Sequence, residues 1–146
     1  MITTFSYDEI FLIWQKYLWP NRISTIEQHS AMLFLTGHDL KNYDYEPTFF
    51  CFIKNDAIAG VNSGHKCCDG SYRSRGLYVF PEYRNQGIGT KLLIAASNQG
   101  SSEQCKFVWS YPRFESWKTY ERAGFSLSSD WLESEMGINA FCRREL

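Results

Sequence analysis

Apolar residues recur over the first twenty positions at the spacing of a helix. Ser6 followed by Glu9 forms a capping-box pattern, and Ile10, Phe11, Ile13, Trp14, Tyr17 and Leu18 then share one side of a 3.6-residue turn until Pro20 ends the run. A second capping pattern, Ser24 with Glu27, is followed by Ile26, His29 or Ser30, and Leu33. It predicts a second helix over residues 24–37 with Gly37 as its stop. The polar, aromatic stretch "GHDLKNYDYEP" reads as a surface loop, a place where recognition often resides.

From Thr48 the period changes to that of strands. "TFFCFI" and "AIAGVNSGH" are β-runs joined as a hairpin by Lys54-Asn55-Asp56, and a turn at Asp69-Gly70 leads into "SYRSRGLYVF". The next periodic run sets Ile88, Leu92 or Leu93, and Ala96 on one face and closes at Gly100, predicting a helix. "CKFVWSY" reads as a short strand, "ESWKTYERAG" as a helix ending on Gly124, and "FSLSS" and "INAFCRREL" as final strands. The order predicts an α/β fold with a mixed sheet, one domain over residues 1–146 without internal repeats.

Composition narrows the function classes. Of 146 residues, 44% are hydrophobic and 21% charged, ordinary globular values that exclude a disordered chain or a coiled coil. Aromatic residues reach 17%, with five Trp, so flat side chains should line the core and any cleft. Fifteen basic against sixteen acidic residues leave a net charge of −1, too little to hold nucleic acid or an anionic membrane through a global field. Apolar runs break well short of the ~20 residues that span a bilayer, and "MITTFSYDEI" lacks a basic leader region, so the cytoplasm is the expected compartment. The five cysteines, Cys51, Cys67, Cys68, Cys105 and Cys142, are odd in number and form no CxxC pair, which fits reduced thiols. His65, Cys67, Cys68 and Asp69 are too nearly consecutive to converge on a tetrahedral ion, and no metal is expected.

The chemistry concentrates in "VFPEYRNQGIGTKLL", residues 79–93. A glycine-bearing turn from strand to helix offers free N–H groups, a favourable helix dipole and close backbone approach to a phosphate, and Arg84 adds a forked cationic donor. A nucleotide P-loop is excluded, since GxxxxGK[ST] is absent. A dinucleotide fingerprint is excluded as well, since Leu92 stands where its third glycine belongs.

"RNQGIG", residues 84–89, matches the [RQ]xxGx[GA] loop of the GNAT superfamily of N-acetyltransferases. "VFPEYR" before it, "TKLL" after it and "TYERAGF" some thirty residues on, similar to the family's "LYEKLGF", extend the resemblance along most of the chain. The resemblance implies a mostly antiparallel central sheet flanked by helices, with two central strands splayed apart, and acetyl-CoA as co-substrate. Leu77, Tyr78 and Val79 would then pair their backbone with the pantetheine amides, as an added strand would. The N–H groups of Asn85, Gln86, Gly87, Ile88, Gly89 and Thr90 would hold the pyrophosphate beside Arg84, with Gly87 and Gly89 allowing backbone approach. Family members often pair through exposed strands or helices, so a homodimer is implied by the same analogy.

Acetyl transfer to an amine requires a neutral nucleophile, and an amine of pKa ~10.4 is neutral in only about one molecule in a few thousand at pH 7. Tyr120, matching the tyrosine of the family's helix, would protonate the departing thiolate, or else pack that helix on the sheet. The sequence departs from the family where many members carry a glutamate base on the central strand; here "YRSRG" sets Arg73 and Arg75. Those arginines suit an acceptor bearing carboxylate or phosphate, or form a solvated face. His65 is an alternative base or a satisfied histidine, and Arg113 stands where the family often has asparagine. Ser116 at the helix start could cap it or touch the cofactor. Asp39, Asp44 and Glu46 could instead attract a cationic amine. The reading is an N-acetyltransferase acting on a small-molecule or protein amine in a ternary complex; a noncatalytic CoA-binding module is the rival.

Overall fold

Alternation along the two β-runs after Thr48, with a turn that accepts left-handed backbone, makes the hairpin from which the sheet grows. In the computed structural model, described over residues 1–134 and 137–146, the strands are β1 (Ile2–Thr4), β2 (Met32–Leu33), β3 (Gly37–His38), β4 (Thr48–Lys54), β5 (Ala57–Lys66), β6 (Tyr72–Val79), β7 (Phe107–Ser110), β8 (Ser126–Leu127), β9 (Leu132–Ser134), β10 (Gly137–Asn139) and β11 (Cys142–Glu145). The helices are α1 (Tyr7–Ile13), α2 (Ile88–Ser102) and α3 (Trp117–Arg122). Asn55 and Asp56 take φ of 53° and 61°, as a two-residue hairpin turn demands.

The main sheet runs β1-β4-β5-β6-β7-β11-β8 and is antiparallel except where β6 meets β7. That single parallel contact follows from the crossover through α2, which covers one face. On that face Phe50, Ala59, Tyr72, Leu92, Leu93 and Ala96 form one core. On the other face Ile10, Trp14, Phe49, Cys51 and Val61 form a second under α1. Among the described residues no helix is long and apolar enough to cross a membrane.

The capping box is present at Ser6 and Glu9, but α1 gives way after Ile13 to a π-helical turn, Trp14–Leu18, closed by the Trp19 N–H on the Trp14 carbonyl at 2.7 Å. The second helix expected over residues 24–37 does not form. Its backbone groups are engaged by distant partners: the Ile26 carbonyl accepts from Tyr7 Oη, the Glu27 carbonyl from Arg75, and the Ser30 carbonyl from Asn42 Nδ2. Met32–Leu33 and Gly37–His38 form a small hairpin instead, and Leu40–Asp44 is a 3₁₀ turn capped by Asp39. Gly100 does not end α2, which continues to Ser102; it is buried there because a side chain would press on Tyr72, with 2.9 Å from its Cβ to that of tyrosine. "INAFCRREL" divides into the end of β10 and β11.

Candidate active site

β6 and β7 pair only through Tyr72 with Val108 and Arg73 with Trp109, and beyond them the two strands part. From Ser74 to Val79, therefore, the edge of β6 facing β7 has no strand beside it among the described residues. At the fork Ser110 Oγ donates to the Ser74 carbonyl at 2.8 Å. One residue farther from β7, the register between β5 and β6 shifts between Val61 and Ser63, so β6 carries an extra residue, a bulge at Gly76 and Leu77. Gly76 has φ +81°, and a Cβ there would overlap the Trp14 indole, whose Nε1 donates to the Gly76 carbonyl at 2.8 Å.

The opening holds a cavity of about 760 Å³. Leu77, Tyr78 and Val79 form its strand wall, and Arg84, Asn85, Gly87, Ile88, Gly89 and Thr90 its loop wall. Across from them stand Ser116, Thr119 and Arg122, and Tyr17 and Leu18 close one side. Asn85 and Gly87 both take left-handed backbone, φ 62° and 79°, which turns the chain abruptly into α2. No hydrogen bond among the described residues uses the backbone N–H groups from Asn85 to Thr90, so they and the helix dipole face the cavity ready for an anion of pyrophosphate type.

Two loop residues differ from expectation. Gly89 is right-handed, and its missing side chain makes room for Thr119, whose Cγ2 would lie 2.9 Å from a Cβ; helix packing, more than ligand approach, requires glycine there. Gln86 does not line the cavity and bonds its side-chain oxygen to the Lys54 ammonium. Arg84 lies back along the strand, donating from Nε to the Val79 carbonyl at 2.8 Å.

A second cavity of about 510 Å³ opens on the α1 side and shares Leu18, Leu77, Arg113 and Ser116 with the first, so the two form one continuous cleft. Arg73 and Arg75 line it and are only 8% and 5% exposed. Arg73 stacks 4.7 Å from the Trp109 ring centre; Arg75 lies 5.0 Å from Trp14 and 5.1 Å from Trp19. Burial lowers their pKa values to about 10 and about 9, with Arg73 itself adding to the drop at Arg75, and both remain cations at neutral pH. Arg113 Nη2 donates to the Leu18 carbonyl at 3.0 Å, tying the loop after β7 to the end of the π turn.

Tyr120 lines this second cavity, nearly buried, with its ring edge-on to Phe125 at 5.7 Å. Burial, then nearby Cys142, raises the phenol pKa, and Ser110 opposes the shift by hydrogen bonding. Ser116 makes no side-chain cap at α3 and lines both cavities. His65, by contrast, lies outside the cavity walls and is 1% exposed. Its Nε2 accepts from the Ser30 N–H at 3.2 Å and its Nδ1–H donates to the Lys66 carbonyl at 3.0 Å, which leaves no lone pair for an acceptor. Nor do Asp39, Asp44 and Glu46 line the cleft; Asp39 is engaged with the Lys41 N–H at 2.9 Å.

Among the titratable residues lining it that the sequence does not mark are His29 and Glu27, in a segment whose period predicts a helix. His29 Nε2 must carry the proton, since it meets the Tyr45 carbonyl at 2.6 Å. Nδ1 therefore keeps its lone pair, and no described residue donates to it. Burial lowers the His29 pKa, so the ring is neutral at pH 7. Among the described residues no cluster of three His, Cys, Asp or Glu could hold a metal ion, and all five cysteines are free thiols.

The model of the acetyltransferase (GNAT) family matches residues 12–125. A GNAT-family acetyltransferase from Staphylococcus aureus Mu50 superposes with a TM-score of 0.67 at 16% identity, over 100% of this chain and 98% of that one. An assigned N-acetyltransferase from Lactobacillus plantarum gives 0.73 at 14%, over 100% and 97%. An assigned streptothricin acetyltransferase from Bacillus anthracis, in complex with acetyl coenzyme A, gives 0.62 at 16%, over 75% and 70%. At these identities the likeness to the solved structures is one of fold. Among curated proteins none matches the chain.

Proposed function

Because the chain belongs to the acetyltransferase (GNAT) family, which uses acetyl-CoA, we propose that it moves an acetyl group to a primary amine of a small molecule or protein, with both substrates in the cleft at once. The observation that carries this reading is the continuity of the two cavities: an anion-ready loop opens into one, the unpaired edge of β6 bounds it, and titratable side chains line the other. The fit to the donor is chemical. The N–H groups of Asn85, Gly87, Ile88, Gly89 and Thr90, with Arg84 and Arg122 beside them, match a pyrophosphate. The edge of Leu77, Tyr78 and Val79, which has no strand beside it and whose Val79 carbonyl is held by Arg84, matches a chain of amides through its remaining backbone groups. Gln86, tied to Lys54, contributes its backbone alone.

Bound there, acetyl-CoA supplies an activated thioester and a thiol leaving group. His29 Nδ1, whose lone pair is free, takes the proton that the acceptor ammonium must lose. As the C–N bond forms and the C–S bond breaks, Tyr120 Oη, held protonated by burial, gives its proton to the departing sulfur and regains one from the attacking nitrogen.

Two measurements test this together: calorimetry with acetyl-CoA, and thiol release across a panel of amines. Acetyl-CoA binding and amine-dependent release are expected, and Tyr120→Phe should lower kcat about 100-fold while leaving CoA affinity nearly unchanged. Tight binding with no release from any amine would favour the noncatalytic module, and no binding at all would overturn the reading.

A further inference from the structure

We infer that the acceptor carries an oxyanion, carboxylate or phosphate, besides its amine, and that Arg73 and Arg75 receive it. The inference rests on the acetyltransferase reading and adds the acceptor's charge class. Positions 73 and 75 alternate along β6, so both guanidiniums leave the same face of the sheet and enter the same cavity. Two like charges are thereby held together with almost no exposure to water.

Such charges are ordinarily paired, since an uncompensated buried ion is strongly destabilising. No carboxylate among the described residues lies within ion-pair distance of either, and the ion pair found there, Arg143 with Glu145, is at the surface. Arg73 Nη1 donates to Ser30 Oγ and Arg75 Nη1 to the Glu27 carbonyl, both at 2.9 Å and both neutral oxygens. Among the described residues Arg73 Nε is buried without a partner. The indoles of Trp109, Trp14 and Trp19 lie against the guanidinium groups, whose N–H edges can grip carboxylate or phosphate in two parallel bonds. Holding residues 27–30 in place would need only neutral donors, so a bracing role does not account for the charge. Glu27, on the same cavity wall and unpaired with either arginine, provides an acidic neighbour for the ammonium end.

The test offers the wild-type protein, saturated with acetyl-CoA, amines in pairs that differ only in the anion: phenylalanine against phenethylamine, and phosphoethanolamine against ethanolamine. In at least one pair the anionic member should lead by about 100-fold or more in kcat/KM, the scale of charge-assisted bonds lost from a desolvated site, and the pair that responds identifies carboxylate or phosphate. A second readout needs no turnover: 3-phenylpropionate or ethyl phosphate should bind the CoA-saturated protein by calorimetry, and Arg75→Gln should weaken that binding at least about tenfold. Neutral amines that equal or exceed their anionic partners would overturn the inference while leaving the acetyltransferase reading intact. So would anion binding that CoA abolishes, which would assign the arginines to the donor's own phosphates. Failure of acetyl-CoA itself to bind would remove both.

Discussion

The imidazole of His65 is locked as a neutral tautomer between the Ser30 N–H and the Lys66 carbonyl, and burial depresses its pKa to about 3, with the Lys66 bond opposing and Arg73 assisting. An unfolded histidine titrates near 6.5. Above that pH both states are neutral and the full stability is present. Below it the unfolded chain gains a proton that the folded chain refuses until about pH 3, so stability should fall by up to about 1.4 kcal/mol per pH unit across that window. Urea unfolding of wild type and His65→Gln between pH 7.5 and 4.5 should give a shallower slope in the variant; parallel slopes would dismiss this account. The sequence puts His65 and Arg73 on consecutive strands, and the structure pairs them directly, but period and spacing say nothing of whether a ring nitrogen is already engaged. Arg73 and Arg75 were legible as a pair because strand alternation is simple; their lack of a carboxylate partner among the described residues was not, since that depends on every element packed above them.

Elements were read well where local chemistry decides them. The capping box, the Asn55-Asp56 turn and the strand-to-helix loop carry their own instructions. Residues 24–37 failed because the competing bonds come from Tyr7, Asn42 and Arg75, remote in sequence. The bulge in β6 belongs to the same class: Gly76 looked like an ordinary strand residue, yet it is left-handed and in contact with Trp14. Gly76→Ala should therefore lose about 1–2 kcal/mol for the backbone and more for displacing the indole. Gly70→Ala is the control, also left-handed at φ +87° but with nothing within 4 Å of its Cβ. Equal losses by urea unfolding would mean that the indole does not pin the bulge.

Across the whole molecule, the sheet is two blocks joined at a short seam. β1, β4, β5 and β6 lie on one side, β7, β11 and β8 on the other, with two paired positions, the Ser110 bond and the Arg113 tie between them. A ligand filling the fork should brace both blocks. At about 100 times its Kd acetyl-CoA should add about 2.7 kcal/mol of stability, and hydrogen exchange should slow chiefly from Ser74 to Val79 and from Asn85 to Thr90. Slowing spread evenly over the sheet, or absent from those segments, would count against the cleft as the donor site. The family fold was legible from one loop and its neighbours, whereas the fork is tied by contacts between residues far apart in sequence, such as Arg113 with Leu18.

The indoles stacked on Arg73 and Arg75 have one more consequence. Tryptophan emission responds to charge beside the ring, and neutralising either guanidinium removes a cation lying about 5 Å from Trp109, or from Trp14 and Trp19. Trp117 and Trp131 sit apart, edge-on to each other at 6.3 Å, and replacing them would darken the background. The enzyme thus contains its own optical sensor, able to report the arrival of an anion before any chemistry occurs.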